Sequence, residues 1–141
     1  MREGIKQLHN LLRRLGCFAC MVKQPSRGTV HYAPSLHHIQ GVPRMDWAVI
    51  PLCPFHHQYG PDAIHVNKSL FRGEYGHEWD IFFGIREVAN RLGKWENEWD
   101  DLILGYAENA ASPPKQVKEW RDKNILNEDQ GNDTSKTVRQ I

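Results

Sequence analysis

No stretch of this 141-residue chain is apolar for long enough to cross a membrane. Its first residues, Met1-Arg2-Glu3-Gly4, lead into no apolar segment of the kind a secretory leader needs. The expectation is a cytoplasmic protein with no membrane partner. An excess of one charge is also missing: 18 Lys and Arg stand against 17 Asp and Glu, a net charge of +1. A strongly basic chain would point to nucleic acid, and this one does not, although basic residues gathered on one face could still bind it. Cysteine is scarce, and its count of three is odd. A secreted disulfide framework normally has an even set, so metal binding in a reducing compartment is the better reading. The H-E-x-x-H motif is absent, which weakens a metal-dependent hydrolase of small molecules. There is no internal repeat, and no motif specifies the oligomeric state.

Histidine is abundant, with eight residues, seven of them between His31 and His77. Six of them, from His31 to His65, fall in the part of the chain that lacks a long helical period. Residues 3–15 form an amphipathic helix, with Ile5, Leu8, Leu12 and Leu15 at spacings of three and four and Gly16 as its stop. From Cys17 to Pro61 the pattern changes to short apolar pieces and turn formers. Val30-His31-Tyr32 and Ala48-Val49-Ile50 are expected strands, and residues 24–28 a loop. Helical periodicity returns after His65. One face is expected at Leu70, Phe71 and Tyr75, and a second helix over residues 77–92 turns Trp79, Phe82, Phe83 and Val88 inward. A third, over residues 94–106, aligns Trp95, Trp99, Leu102, Ile103 and Tyr106. Ser112 and Pro113 begin a last short helix docked by Val117 and Trp120. The expected organisation is an N-terminal helix (1–16), a metal-stabilised core (17–76), a helical extension (77–123) and a disordered tail (124–141).

Two constellations carry chemistry. Cys17-Phe18-Ala19-Cys20 is a C-x-x-C pair and Cys53-Pro54-Phe55-His56 a C-x-x-H pair. A two-residue gap points both side chains of a pair at one ion, and two pairs complete a tetrahedral structural zinc site. Residues 16–61 have few large apolar side chains, so a metal cross-link would help hold that segment together. A thioredoxin-like role for Cys17 and Cys20 lacks the βαβ surroundings it needs. The second constellation is His37, His38, His57 and His65. His37 and His38 follow an expected strand, and adjacent side chains on a strand or at its end point in opposite directions, one free to bind a metal and the other to face a substrate. On a continuous helix His57 and His65 would stand about 12 Å apart. Gly60-Pro61 breaks the chain between them and allows both to join His37 on one ion. Three protein ligands with open positions describe a catalytic site rather than a closed one.

Taken together, these residues resemble the HNH (ββα-metal) nuclease superfamily. The match runs from Cys17 to about Tyr75 through Ser35-Leu36-His37-His38-Ile39, Ile50-Pro51-Leu52-Cys53, His56-His57 and Ala63-Ile64-His65, with Asn67-Lys68 following. It is closest to the phage recombination-enhancement (Ref-type) RecA-dependent nucleases, in which a similar set precedes an aromatic-rich helix ending near Y-G, as Tyr75-Gly76 does here. The resemblance implies an α+β fold with a small zinc-stabilised ββα-metal core and flanking helices. It implies His38 as general base, His37, His57 and His65 as ligands of the catalytic metal, and Cys17, Cys20, Cys53 and His56 as ligands of zinc. The substrate would be DNA, arranged by a RecA filament. One departure stands out. Many HNH proteins carry an Asn shortly before the P-L-C segment, where this chain has Met45-Asp46-Trp47-Ala48-Val49. Asp46 or a backbone carbonyl would have to orient His38.

The reaction expected of such a site is phosphodiester hydrolysis, with His38 taking a proton from water. All-imidazole ligation favours Zn²⁺, Mn²⁺, Co²⁺ or Ni²⁺ over Mg²⁺, which remains usable if phosphate and water oxygens fill the other positions. Lys23, Arg27, Arg44, Lys68 and Arg72 are the candidate phosphate contacts. Two binding readings compete with the enzyme. One is a zinc-stabilised module that holds DNA or a recombinase without cutting. The other is an adaptor that docks a recombination filament through Trp95, Trp99 and Trp120.

Overall fold

A computed structural model describes residues 2–23, 34–39 and 45–130, the stretch 125–130 by backbone alone. The expected strand at residues 30–32 and the loop at 24–28 lie outside them, as do the candidate phosphate contacts Arg27 and Arg44. The chain divides into two compact units, the first ending at Gly84 and the second beginning at Ile85. The boundary falls inside a helix rather than near residue 76. No described helix is long and apolar enough to cross a membrane.

The first unit is built on α1 (Glu3–Leu15), α2 (Phe18–Lys23) and a two-stranded antiparallel sheet of β1 (Ser35–His38) and β2 (Val49–Leu52). Helix α1 buries Ile5, Leu8, Leu11 and Leu12, while Leu15 stays half-buried. The buried stripe also takes in His9, whose Nε2 lies 2.7 Å from the Asp46 carbonyl. The helix ends at Gly16, where φ of 88° suits a residue without Cβ and the N–H reaches the Leu12 carbonyl at 3.3 Å. It packs on both strands, and α2 packs on β2. In the sheet, Ser35 faces Leu52, Leu36 faces Pro51, His37 faces Ile50 and His38 faces Val49. His37 and His38 thus sit within a strand rather than after one. Side chains alternate across a strand, so Ser35 shares a face with His37, and His38 turns the other way. Burial agrees: His37 is buried and His38 exposed.

After β2 the chain enters a π-helical turn (Phe55–Tyr59), then a bend at Gly60-Pro61, then α3 (Lys68–Tyr75) and α4 (Glu78–Arg91). Asn67 caps α3 by accepting the Leu70 N–H at 3.1 Å. Phe71 and Tyr75 are buried, whereas Leu70 is exposed, because it lies off the stripe that those two define. His77 precedes α4, and its Nδ1 accepts the Trp79 N–H at 3.1 Å. Trp47, Trp79 and Phe82 meet at ring centroids 5.6–6.0 Å apart and form the aromatic part of this core. Along α4 the inward positions are Trp79, Phe82, Ile85 and Ala89, which leaves Val88 exposed and Phe83 half-buried, against the sequence expectation. Arg72 grips the fully buried Glu78 through Nε and Nη2 at 2.7 and 3.0 Å. Burial alone would raise the Glu78 carboxyl, but the Arg72 guanidinium holds it below the usual carboxylate range.

The second unit contains the end of α4, α5 (Asn97–Asn109) and α6 (Lys115–Gln130). Trp99, Ile103 and Ala107 recur every four residues and are buried, while Leu102 and Tyr106 are half-buried. Trp95 is buried just before the helix begins. Its indole N–H donates to Asp100 at 2.8 Å, and Arg86 grips the same carboxylate at 2.9 and 2.7 Å. The guanidinium also lies over the Trp95 and Trp120 rings, 5.9 and 5.4 Å from their centroids. Trp95 and Trp99 are therefore core, which removes them from an exposed docking surface. Helix α6 begins at Lys115, after Ser112 and Pro113, and continues through Gln130, so helix replaces the first part of the expected tail. Asp100→Ala takes from Arg86 its buried countercharge, leaving the exposed Glu87 at 3.8 Å, and takes from the Trp95 N–H its Asp100 acceptor. We expect it to destabilise the chain by about 3 kcal/mol, measured by urea unfolding followed by tryptophan fluorescence.

Candidate metal centres

The two C-x-x-C/H pairs converge. Cys53 and His56 bracket the exit from β2, while Cys17 and Cys20 bracket the start of α2. His56 Nδ1 lies 3.7, 3.6 and 3.3 Å from the Sγ atoms of Cys17, Cys20 and Cys53, and the Cys20 and Cys53 sulfurs are 3.8 Å apart. A tetrahedral zinc with ordinary bond lengths demands about 3.8 Å between sulfurs and about 3.6 Å between sulfur and nitrogen. The four donors match that spacing, and all four residues are buried. The Cys20 N–H points at the Cys17 sulfur at 3.4 Å. Burial pushes the Cys20 thiol up to about 12, with the neighbouring Cys17 and Cys53 adding to it, and it raises Cys17 as well. Cys17 and Cys20 therefore resist ionisation unless a positive charge joins them. A divalent ion supplies that charge and deprotonates its ligands on binding. The Tyr75 ring lies edge-on to His56, 5.8 Å away, and its hydroxyl donates to Asp62 at 2.7 Å. That contact ties α3 to the bend after the π-helical turn.

The π-helical turn serves both constellations. His56 points to the cysteines, and the next residue, His57, points to the sheet. The Gly60 N–H closes the wide turn on the Phe55 carbonyl at 2.8 Å. A Cβ at Gly60 would sit 2.6 Å from that oxygen and 2.8 Å from the Phe55 ring, so glycine is required here for space. Beyond the bend, the Ile64 and His65 N–H groups donate to the His56 and His57 carbonyls at 3.0 and 3.1 Å. This fold-back sets His65 beside His57, as the break at Gly60-Pro61 predicts.

His57 Nε2 then lies 3.2 Å from His37 Nδ1 and 3.1 Å from His65 Nε2. Imidazole nitrogens sharing an ion in adjacent positions stand about 3.0–3.4 Å apart. On the far side of the His57 ring, Nδ1 is 2.7 Å from Ser35 Oγ, whose own hydroxyl donates to the Leu52 carbonyl at 2.8 Å. Sequence reading quoted Ser35 without assigning it a role. Its position two residues before His37 on a strand is the signal that could have found it. His37 is 3 % exposed, and its buried Nε2 has no hydrogen-bond partner among the described residues. Burial, and then the neighbouring His57 and His65, lower the His37 imidazole to about 4, and burial likewise lowers His57. These rings are held neutral and close together, which is the state a metal ligand requires.

His38 stands next to His37 in the chain and on the opposite face of β1, exposed, with Nε2 3.8 Å from an Asp46 carboxylate oxygen. That is a Coulombic approach rather than a hydrogen bond. The Asp46 backbone is itself held by His9. Of the candidate phosphate contacts, Lys23 is ion-paired with Glu74 and Arg72 with Glu78. Lys68 is half-buried at the start of α3.

A two-stranded sheet followed by helix, with two Cys/His clusters set around the strand exit, is the zinc-stabilised ββα-metal architecture. Residues 4–83 match the family described as recombination enhancement, RecA-dependent nuclease, and the chain belongs to that family. No curated protein and no solved structure matches it.

Two outcomes follow from this geometry. Gly60→Ala forces the π-helical turn open and should cost about 2 kcal/mol of stability. A cobalt titration should show both clusters weakened together, because the turn carries a member of each. The second concerns pH. His37 is near 4 when folded and near the ordinary histidine value of 6.5 when unfolded. Between those limits the unfolded chain takes up a proton that the folded chain refuses, so stability without added divalent ion should fall as pH drops from about 6.5 towards 4. His37→Gln should flatten that slope in thermal melts across the range.

Proposed function

We propose that this protein is a metal-dependent DNA endonuclease that hydrolyses phosphodiester bonds. The observation that supports it best is the meeting of His37, His57 and His65 nitrogens, with an exposed histidine one residue away on the other face of the same strand. Cys17, Cys20, Cys53 and His56 would hold a structural zinc. His37 Nδ1, His57 Nε2 and His65 Nε2 would hold the second ion, with Mn²⁺, Co²⁺, Ni²⁺ or Zn²⁺ suiting three imidazoles better than Mg²⁺. Bound there, a divalent ion supplies charge stabilisation for the phosphate and the departing 3′ oxygen.

His38 acts as the general base. The Asp46 carboxylate near Nε2 favours a proton on that nitrogen, which leaves Nδ1 to accept one from the attacking water. Asp46 thereby stands in for the Asn that many HNH proteins carry. Lys23, Lys68 and Arg72, with Arg27 and Arg44, are the proposed phosphate contacts. Lys23 and Arg72 already hold carboxylates, and the chain carries a net charge of only +1. A weak grip of its own suits a nuclease whose DNA is delivered by a RecA filament, and the family's description supports that partner.

A plasmid-nicking assay with each divalent metal, with and without a RecA filament, tests this reading. Wild type should cut and His38→Ala should be slower by about 10²-fold or more. Zinc content and melting temperature should stay unchanged, because His38 is exposed. A wild type that is loaded with zinc and folded but cuts in no lane would replace the enzyme with a non-catalytic module that binds DNA or recombinase.

A further inference from the structure

The structure assigns Ser35 as the residue that fixes which nitrogen of His57 is free to bind the ion, a positioning role that rests on the proposed metal site. Donors and acceptors decide the tautomer. A serine hydroxyl has a single proton. Ser35 Oγ gives that proton to the Leu52 carbonyl at 2.8 Å. At its second contact, 2.7 Å from His57 Nδ1, the same oxygen must accept. A neutral imidazole donates from one nitrogen and accepts at the other. His57 therefore carries its proton on Nδ1 and presents a bare lone pair at Nε2. That is the atom 3.2 Å from His37 Nδ1 and 3.1 Å from His65 Nε2.

The strand makes this arrangement available. Ser35 and His37 are two residues apart on β1 and share a face. One approaches His57 Nδ1 and the other approaches Nε2, so the ring is clamped at both ends by a single strand. Ser35 also pairs with Leu52 in the sheet register, which places its hydroxyl beside the carbonyl that orients it. Leu52 is the last residue of β2, one position before Cys53. The orienting carbonyl therefore belongs to the segment that the thiol cluster anchors. Groups that hold the far nitrogen of a ligating histidine set its tautomer and ring direction, and their removal typically lowers metal affinity 10–100-fold.

The test uses the full-length chain loaded with zinc at the cysteine cluster. Long-range ¹H–¹⁵N spectra of histidine-labelled protein report the tautomer without any second metal. Wild type should show His57 protonated on Nδ1. Ser35→Ala should show a mixture of tautomers or a proton on Nε2, and Ser35→Thr, which keeps the hydroxyl, should restore the wild-type pattern. Mn²⁺ titrations followed by electron paramagnetic resonance should show about 10-fold weaker binding in Ser35→Ala and near-normal binding in Ser35→Thr. Retained zinc and an unchanged circular dichroism spectrum would show that the variants fold. An Nε2 proton on His57 in wild type would overturn the assignment, as would a Ser35→Ala chain with unchanged tautomer and Mn²⁺ affinity within twofold. If wild type binds no Mn²⁺ at all, the metal reading of the triad fails, and the spectra still decide what Ser35 does to His57.

Discussion

The meeting of Cys17, Cys20, Cys53 and His56 is the constraint on which the first unit depends. It joins the start of α2 to the exit of β2, two segments more than thirty residues apart in sequence. Between and around them the chain offers short strands and turns instead of a continuous apolar face. Among the gathered thiols, burial makes Cys17 and Cys20 resist ionisation. An ion that deprotonates them turns a cost of burial into a cross-link. The aromatic packing of Trp47, Trp79 and Phe82 and the latch from Tyr75 to Asp62 then act on a frame already joined.

Much of the site was legible because its chemistry is local. The C-x-x-C and C-x-x-H spacings point each pair at one place. Gly60-Pro61 predicts the reversal that brings His65 back to His57, and the fold-back hydrogen bonds from Ile64 and His65 carry it out. The adjacency of His37 and His38 on a strand forces their opposite burial. Less legible were features that need two segments at once. His37 and His38 were expected after a strand and lie within one, because pairing with Val49 and Ile50 is a long-range event. The service of Ser35 to His57 depends on that same register. Lys23 and Arg72 read as candidate phosphate contacts, yet each meets a carboxylate supplied by another helix.

The helices show the same division. The α1 stripe was clear from spacing alone, but His9 on its buried side was not, since its partner is a backbone carbonyl in the segment before β2. Val88 and Leu70 are large and apolar and were placed inward, yet both are exposed. The stripes that actually pack are set by Trp79, Phe82, Ile85 and Ala89 in α4 and by Phe71 and Tyr75 in α3. Periodicity names a face only when the neighbours that cover it are known. In the second unit the stripe through Trp99 and Ile103 was correct. What it could not reveal is that Arg86 pairs with Asp100 while lying over the Trp95 and Trp120 rings, a charged pair beside aromatic side chains.

His56 and His57 are neighbours in the chain, yet they look in opposite directions, one to the thiol cluster and the other to the imidazole cluster. A single peptide bond joins a member of one candidate metal centre to a member of the other. A change in how His56 sits among the thiols is therefore passed to His57 within a single residue, and the Leu52 carbonyl beside Cys53, which orients Ser35, passes it a second time.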